Sequence, residues 1–417
     1  MTDKSYALEQ GDSERPVTGR PVIYGKKGVI SSGHYLTSMA GMQILLQGGN
    51  AFDALAASIF AAAVIEPTAS YSLGAECTYT LFDSASGDLL ALSGQGPSPF
   101  RATLDYYRSK QLDSIPTGPG LDAPIAFTVP GVVGATFSML EKYGTSKIED
   151  VLMSAIEYAL DGIPNYEYML NRIKSEETLQ QFKLFPPGGI EIFYDQGQVP
   201  EAGTLLIQTA LGNTLNKMVS AAKDSGTDRL TEIAAARQCF YKGEIADAII
   251  AGVRSVGGLM DENDLSEYQE EYSTPDSVDY RGYSIHSQST WTQGPVCLQA
   301  LNILENFDLR SLGYNSPEYI HIVTEALKLV FADREAFYGD PNFSSIPIDG
   351  LLSKEYAAQR AKRINPETAC PGLPPFGDPW SYSKLEGYVS KQPGFVDDIE
   401  FILDLTPEEK TVSLWSA

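Results

Sequence analysis

Few side chains in this chain could do chemistry, and their spacing argues against several chemistries at once. The three histidines, His34, His286 and His321, stand far apart, none at metal-ligand spacing with another, so each reads as a packing or hydrogen-bonding residue. Cys77, Cys239, Cys297 and Cys370 are equally scattered and form neither a zinc nor a redox spacing. No Gly-x-Ser-x-Gly elbow marks a nucleophilic serine, although counting alone leaves a serine–histidine triad open. Gly48-Gly49 and Gly257-Gly258 lack the spacing of phosphate- or dinucleotide-binding loops. No metal and no cofactor is expected. What remains is polar groups on connections: Ser93-Gly94-Gln95-Gly96-Pro97, then Arg101, and later Trp291-Thr292-Gln293-Gly294. Loops carried by a rigid scaffold are where binding groups are presented.

The elements that must hold the first of these loops run from residue 28 to 103. Gly28-Val29-Ile30-Ser31-Ser32-Gly33-His34 reads as a short buried strand ending at a turn. A helix follows from about Tyr35, with Leu36, Met39, Ala40 and Leu46 near helical spacing, and Gly48-Gly49 can supply the positive φ of its C-cap. Asn50 can cap the next helix, with Asp53 near its positive end. That helix, 51–65, is apolar nearly all round and rich in alanine, which predicts a buried element too short to span a bilayer. Pro67 pushes Glu66 out of the helical region and ends it. Residues 77–82 and 89–93 read as strands of a hairpin around 83–88, and the Gln95 loop leaves the end of that hairpin.

From residue 131 the spacing predicts helices over 132–143, 148–160, 230–240, 245–256, 296–307 and 317–338, layered against a sheet. Gly162-Ile163-Pro164 and 185–189 break the pattern, and 280–287, with Tyr283 and Ile285 alternating, can return as a strand. Asp333 and Arg334 read as an ion pair or cap within their helix. After about Asn365, prolines and acidic residues replace the helical pattern. The organisation is therefore an extension over 1–26, a core over 27–365 and an irregular acidic segment over 366–417. The net charge of −24, from 30 basic and 54 acidic residues, argues against nonspecific binding of nucleic acid or an anionic membrane. The first residues lack the apolar core of a signal peptide and no run reaches transmembrane length, so the expectation is cytoplasmic.

Several blocks carry a likeness to a known family. Gly48-Gly49-Asn50-Ala51-Phe52-Asp53-Ala54, the pair Glu66-Pro67 and the following glycine-containing strand resemble the γ-glutamyltranspeptidase family of N-terminal-nucleophile hydrolases. Thr128-Val129-Pro130-Gly131 with Tyr143-Gly144, the run Phe240-Tyr241-Lys242-Gly243-Glu244-Ile245-Ala246, and Gly257-Gly258-Leu259-Met260 with Asp264-Leu265 and Tyr268 are similar to family blocks. So are 298–305 and Ala332-Asp333-Arg334 with Gly339-Asp340-Pro341, all in the family's order over about residues 27–365.

The resemblance implies an α+β fold, the four-layer αββα sandwich of these hydrolases, completed by a small subunit cut from the same precursor. A threonine opening that subunit supplies both the nucleophilic hydroxyl and, through its own amine, the base. Placing both on one residue fixes their geometry and needs no histidine, so no catalytic residue is expected in this chain. Ala417 becomes the processing site: the threonine hydroxyl attacks its carbonyl, giving an ester that water opens. A dimer of such heterodimers stands as an open alternative.

The same resemblance assigns part of the substrate pocket to this chain. In the γ-glutamyl enzymes an arginine within Asp-Phe-Arg-Glu holds the α-carboxylate of the glutamyl group, and the aligned stretch here is Ser93-Gly94-Gln95-Gly96, with Gln95 in the arginine's place. Arginine is a charged, often bidentate clamp, and glutamine offers one neutral amide. A hydrogen bond to a charged group is worth roughly 1.5–3 kcal/mol, so the exchange could cost roughly ten- to a hundredfold in affinity for such a carboxylate. Arg101 is either a substitute clamp or a surface cation, and Glu76 adds negative charge where the family is glycine-rich. The variant looks like the branch that includes oxamate amidohydrolase-like proteins and acylases. Hydrolysis of a small amide or acyl substrate through an acyl-enzyme follows, with Gln95, Ser93 and Gly96 orienting the acyl group. Thr292 and Gln293 either line the pocket or cap a strand-to-helix connection. The alternatives are a γ-glutamyl hydrolase or transferase, a C–C bond hydrolase, and a noncatalytic binding module.

Overall fold

The computed structural model describes residues 22–384 apart from 113, 117–119 and 186–187. Helix α1 (Tyr35–Gln47) begins where the His34 Nδ1 accepts the Leu36 N–H, and ends at Gly48 in the left-handed region at φ 101°. Asn50 and Asp53 then form a reciprocal capping box at the start of α2 (Ala51–Ile65). Asp53 is fully buried, and its carboxylate also accepts the Thr145 N–H at 2.9 Å, the Thr145 hydroxyl at 2.7 Å and the Ser146 N–H at 3.1 Å. One side chain thus starts a helix and pins a distant turn to it.

Strands β1 (Cys77–Asp83) and β2 (Asp88–Gly94) form the expected hairpin, and β2 pairs on its other side with β5 (Glu271–Ser273), all antiparallel. After α3 (Leu104–Ser109) come α4 (Val132–Tyr143) and α5 (Ile148–Asp161), at the predicted places. Next are the two-residue pair β3 (Ile163–Pro164) and β4 (Leu205–Leu206), with α6 (Glu167–Ile173), α7 (Glu176–Leu184) and α8 (Gly189–Phe193) between them. Then come α9 (Thr209–Ser225), α10 (Arg229–Tyr241), α11 (Glu244–Ser255) and α12 (Glu262–Ser266). A second hairpin, β6 (Asp276–Tyr280) and β7 (Tyr283–Ser287), leads into α13 (Gly294–Leu304), α14 (Leu309–Leu312), α15 (Pro317–Phe337), α16 (Ile348–Leu351) and α17 (Lys354–Ala361).

Two cores result. The larger joins α2, α4, α5, α9 and α10 to the first hairpin through residues such as Ala56, Phe60, Leu92, Phe137, Leu152 and Leu215. The smaller joins α13, α15 and α17 through Ile303, Ala326, Val330 and Ala357. The arrangement is α+β, as expected.

Two local expectations are corrected. Residues 280–287 are a turn plus a strand: Arg281 and Gly282 both take positive φ, at 52° and 83°, the geometry of a tight hairpin turn. Residues 28–34 form no strand and are largely exposed, because no other strand among the described residues lies beside them. Helix α9 also went unforeseen, its apolar positions being diluted by polar ones.

Candidate functional site

Ser93 stands one residue before the end of β2, where it pairs with Thr78 of β1 and Glu271 of β5. The chain then leaves the sheet through a corner that only small residues allow. A methyl group at Gly96 would stand 1.5 Å from the Val129 carbonyl oxygen, and one at Gly131 would stand 1.9 Å from that of Gly94. The backbones touch directly, which requires glycine. The Val129 N–H donates to the Pro97 carbonyl at 3.0 Å, and the N–H groups of Gly131 and Val132 donate to the Ala75 carbonyl at 3.2 and 3.0 Å.

Buried side chains lock this corner from behind. The Tyr241 hydroxyl donates to the Pro130 carbonyl at 2.7 Å and accepts the Gly134 N–H at 2.9 Å, while the Tyr268 hydroxyl donates to the Gly131 carbonyl at 3.3 Å. Asp264 accepts the Phe100 N–H at 2.7 Å and so fixes the far side of the loop. Within this frame the Gln95 N–H makes a long contact of 3.4 Å to the Ser93 hydroxyl. The Gln95 side chain is half-buried and makes no hydrogen bond to another described residue. Arg101 is exposed just before the Thr103 cap of α3.

The second hairpin reaches the same region. Gln288, buried just past β7, donates through Nε2 to the Tyr79 carbonyl at 2.7 Å and to the Thr80 hydroxyl at 3.1 Å, leaving its Oε1 without a partner among the described residues. Thr80 pairs with Ala91, one same-face step, about 7 Å, from the Thr78–Ser93 row. Nothing in the sequence separated Gln288 from its polar neighbours, so it was missed. Thr292 and Gln293 follow it, and the Thr292 hydroxyl and the Gln293 Oε1 are already engaged. The Thr292 hydroxyl donates to the Ser289 carbonyl and accepts the Gly294 N–H, both at 2.9 Å, and the Gln293 Oε1 accepts from Arg334 at 2.5 Å.

Asp333 and Arg334 do not pair with each other. Adjacent helical residues point about 100° apart. Asp333 instead accepts from Arg360 at 2.9 Å, from the Tyr356 hydroxyl at 2.8 Å, from the Gly377 N–H at 2.9 Å and from Gln299 at 3.3 Å, while Arg334 pairs with Glu335. Burial pushes the Asp333 pKa up against the pull of Arg360 and these hydrogen bonds.

Cys77 lies behind the Gln95 loop, and burial pushes its thiol up to about 11, with the Glu76 charge adding and a Tyr79 hydrogen bond opposing. It therefore stays a neutral thiol and not a nucleophile near pH 7. Ala417 lies outside the described residues.

This geometry has relatives. The Gamma-glutamyltranspeptidase family model matches residues 37–394. The chain is 32% identical over 379 residues to the glutathione hydrolase-like YwrD proenzyme of Bacillus subtilis (strain 168), covering 91% of this chain and 68% of that protein. It is 33% identical over 352 residues to the acylase ACY 1 proenzyme of Pseudomonas sp. (strain V22), covering 83% and 60%. Among solved structures, Helicobacter pylori gamma-glutamyltranspeptidase superposes with a TM-score of 0.75 at 31% identity, covering 85% of this chain and 97% of that one. The chain belongs to the gamma-glutamyltranspeptidase family. It spans 59% of the length of several glutathione hydrolase proenzymes that it matches. No helix among the described residues is long and apolar enough to cross a membrane.

Proposed function

We propose that this chain is the larger part of an N-terminal-threonine amidohydrolase, made as a proenzyme and cut, that hydrolyses a small amide through an acyl-enzyme. The observation that carries this reading is the Ser93–Gly96 corner. Its backbone is clamped by direct contacts, and it holds a half-buried neutral amide with no partner among the described residues.

In the proposed reaction the threonine of the companion segment attacks the substrate carbonyl as its own amine takes the hydroxyl proton. The tetrahedral oxyanion collapses, the substrate amine leaves with a proton, and water hydrolyses the resulting ester. This chain's part is to bind: the Gln95 amide and Ser93 hydroxyl hydrogen-bond the acyl portion, and the fixed glycine corner keeps them in register with the carbonyl. The core over 27–365 is the proposed large-subunit body, and the cytoplasm the proposed location.

The neutral Gln95 amide and the name of the acylase relative favour this reading, whereas the names of the glutathione hydrolase relatives favour a second one, γ-glutamyl hydrolysis or transfer. Replacing Gln95 separates them. Gln95→Arg is expected to raise kcat/KM for γ-glutamyl amides roughly ten- to a hundredfold relative to simple amides. Wild-type protein that already prefers γ-glutamyl amides, with Gln95→Arg making no difference, would sink the first reading. Intact mass and N-terminal sequencing of the purified precursor test the cut itself, the expected product being a second polypeptide that begins with threonine.

A further inference from the structure

Helices α5, α9 and α10 border a cavity of about 230 Å³ that shares no residue with the Ser93–Gly96 corner. That is many times a water molecule's share of about 30 Å³ and less than the roughly 300–1,000 Å³ of sites for drug-sized molecules, so the occupant it fits is small. Val219 and Ala222 of α9, both buried, form an apolar wall. The charged groups around the cavity differ in what they already hold. Lys223 and Glu149, both exposed, pair with each other at 2.6 Å. Glu232 is only 7% exposed, yet its carboxylate makes no hydrogen bond or ion pair with any described residue. Lys147, exposed at the start of α5, likewise has no side-chain partner among the described residues. The two line one cavity without pairing. A carboxylate buried without a partner is costly, so Glu232 is matched to a positively charged group arriving from outside.

The helix ends sort charge in the same way. Helix α9 ends at Gly226, and among the described residues no backbone N–H from beyond the helix returns to its last turn. The Ser225 hydroxyl donates to the Ala222 carbonyl at 2.7 Å and leaves the later carbonyls open. Open carbonyls at a helix C-terminus carry partial negative charge and attract cations. Helix α5 begins at Lys147 with no side-chain cap, so its first N–H groups are open to an anion. Gly226 and Lys147 both line the cavity, so a negative helix end and a positive one border the same small space.

We propose that this cavity binds a free aliphatic α-amino acid as its zwitterion, the ammonium held by Glu232 and the C-terminal end of α9, the carboxylate by Lys147 and the start of α5. A lone metal cation would leave Lys147 and the α5 N–H groups unanswered, and a lone anion would leave Glu232 so. Val219 and Ala222 suit an aliphatic side chain.

The test is equilibrium dialysis of radiolabelled L-valine against protein purified from the full precursor. Saturable binding is expected at millimolar concentration or below. Isobutylamine, which is valine without its carboxylate, and isovalerate, which is valine without its ammonium, are each expected to compete at least tenfold more weakly than valine itself. Glu232→Gln and Lys147→Met are each expected to weaken valine binding at least tenfold, while Gln95→Arg leaves it unchanged. Lys147 is exposed, so its variant stays informative even where the buried substitution disturbs folding. An absence of saturable binding would overturn the proposal, as would binding that both cavity substitutions leave intact. Isobutylamine competing as well as valine, with Lys147→Met silent, would overturn it too, because the site would then take simple cations. Binding is read directly, so the outcome is independent of the amide-hydrolysis reading.

Discussion

Asp276 shows what burial does to one carboxylate. It begins β6, its Oδ2 has no partner among the described residues, and burial raises its pKa against a Ser289 hydrogen bond. A raised folded-state value means the native protein holds this proton more tightly than the unfolded chain does. Stability therefore falls as pH climbs from about 3.9 through the folded pKa, and the penalty is complete above it. Asp276→Asn is expected to stabilise the protein by about 1 kcal/mol near pH 8 and to give no gain at pH 3, read by thermal melts at both. A lower melting temperature at pH 8 would show that the charge is wanted, for instance by a group outside the described residues. Gln95 poses the complementary question, since its neutral amide is half-buried with no partner among the described residues.

Among the elements, α2 depends most on a single polar group. Burial alone would raise the pKa of Asp53, but the Thr145 hydroxyl and the N–H groups of Asn50, Ser146 and Thr145 outweigh it and hold the value below the usual range. A depressed value contributes stability that is present above the unfolded pKa of about 3.9 and is lost as pH falls through the folded one. Asp53→Asn is expected to cost about 1–2 kcal/mol at pH 6, with the gap to wild type narrowing below about pH 4. Urea titrations across that range check it, and a gap that does not change with pH would mean the ionised form adds nothing. The consequence reaches the site, because α4, which follows the Val129–Gly131 clamp, ends at the turn that Asp53 holds.

Across the whole molecule the two cores are stabilised differently. The larger packs apolar helices on the first hairpin, while the smaller surrounds the buried Asp333–Arg360 pair with Tyr356, Gln299 and the Gly377 backbone. Removing one partner of a buried pair strands the other, typically at about 3–5 kcal/mol. Asp333→Ala is expected to accelerate amide exchange throughout α13, α15 and α17 while leaving α2 and α5 slow. Uniform acceleration would instead mean that the two cores unfold as one unit. Gln288 is the bond between them nearest the candidate site, so loosening the smaller core is expected to reach Ser93 through the second hairpin.

Much of this was legible in the residues because the signals are local. Asn50 and Asp53 bracket the start of α2, Gly48 ends α1, Pro67 follows the end of α2, and the helices at 132–143 and 148–161 carry their own periodicity. The ordered glycine, tyrosine and acidic blocks likewise pointed to the family before any coordinates did. Tertiary structure alone decided the rest, since it depends on what meets what at long range. The run at 28–34 reads as a short buried strand ending at a turn, but a strand needs a neighbour, and the described residues provide none. Asp333 pairs with Arg360 and not with Arg334 because helix geometry turns adjacent side chains apart. Gln288 became part of the site only when the second hairpin folded onto the first, a contact more than two hundred residues long in sequence that no local pattern encodes.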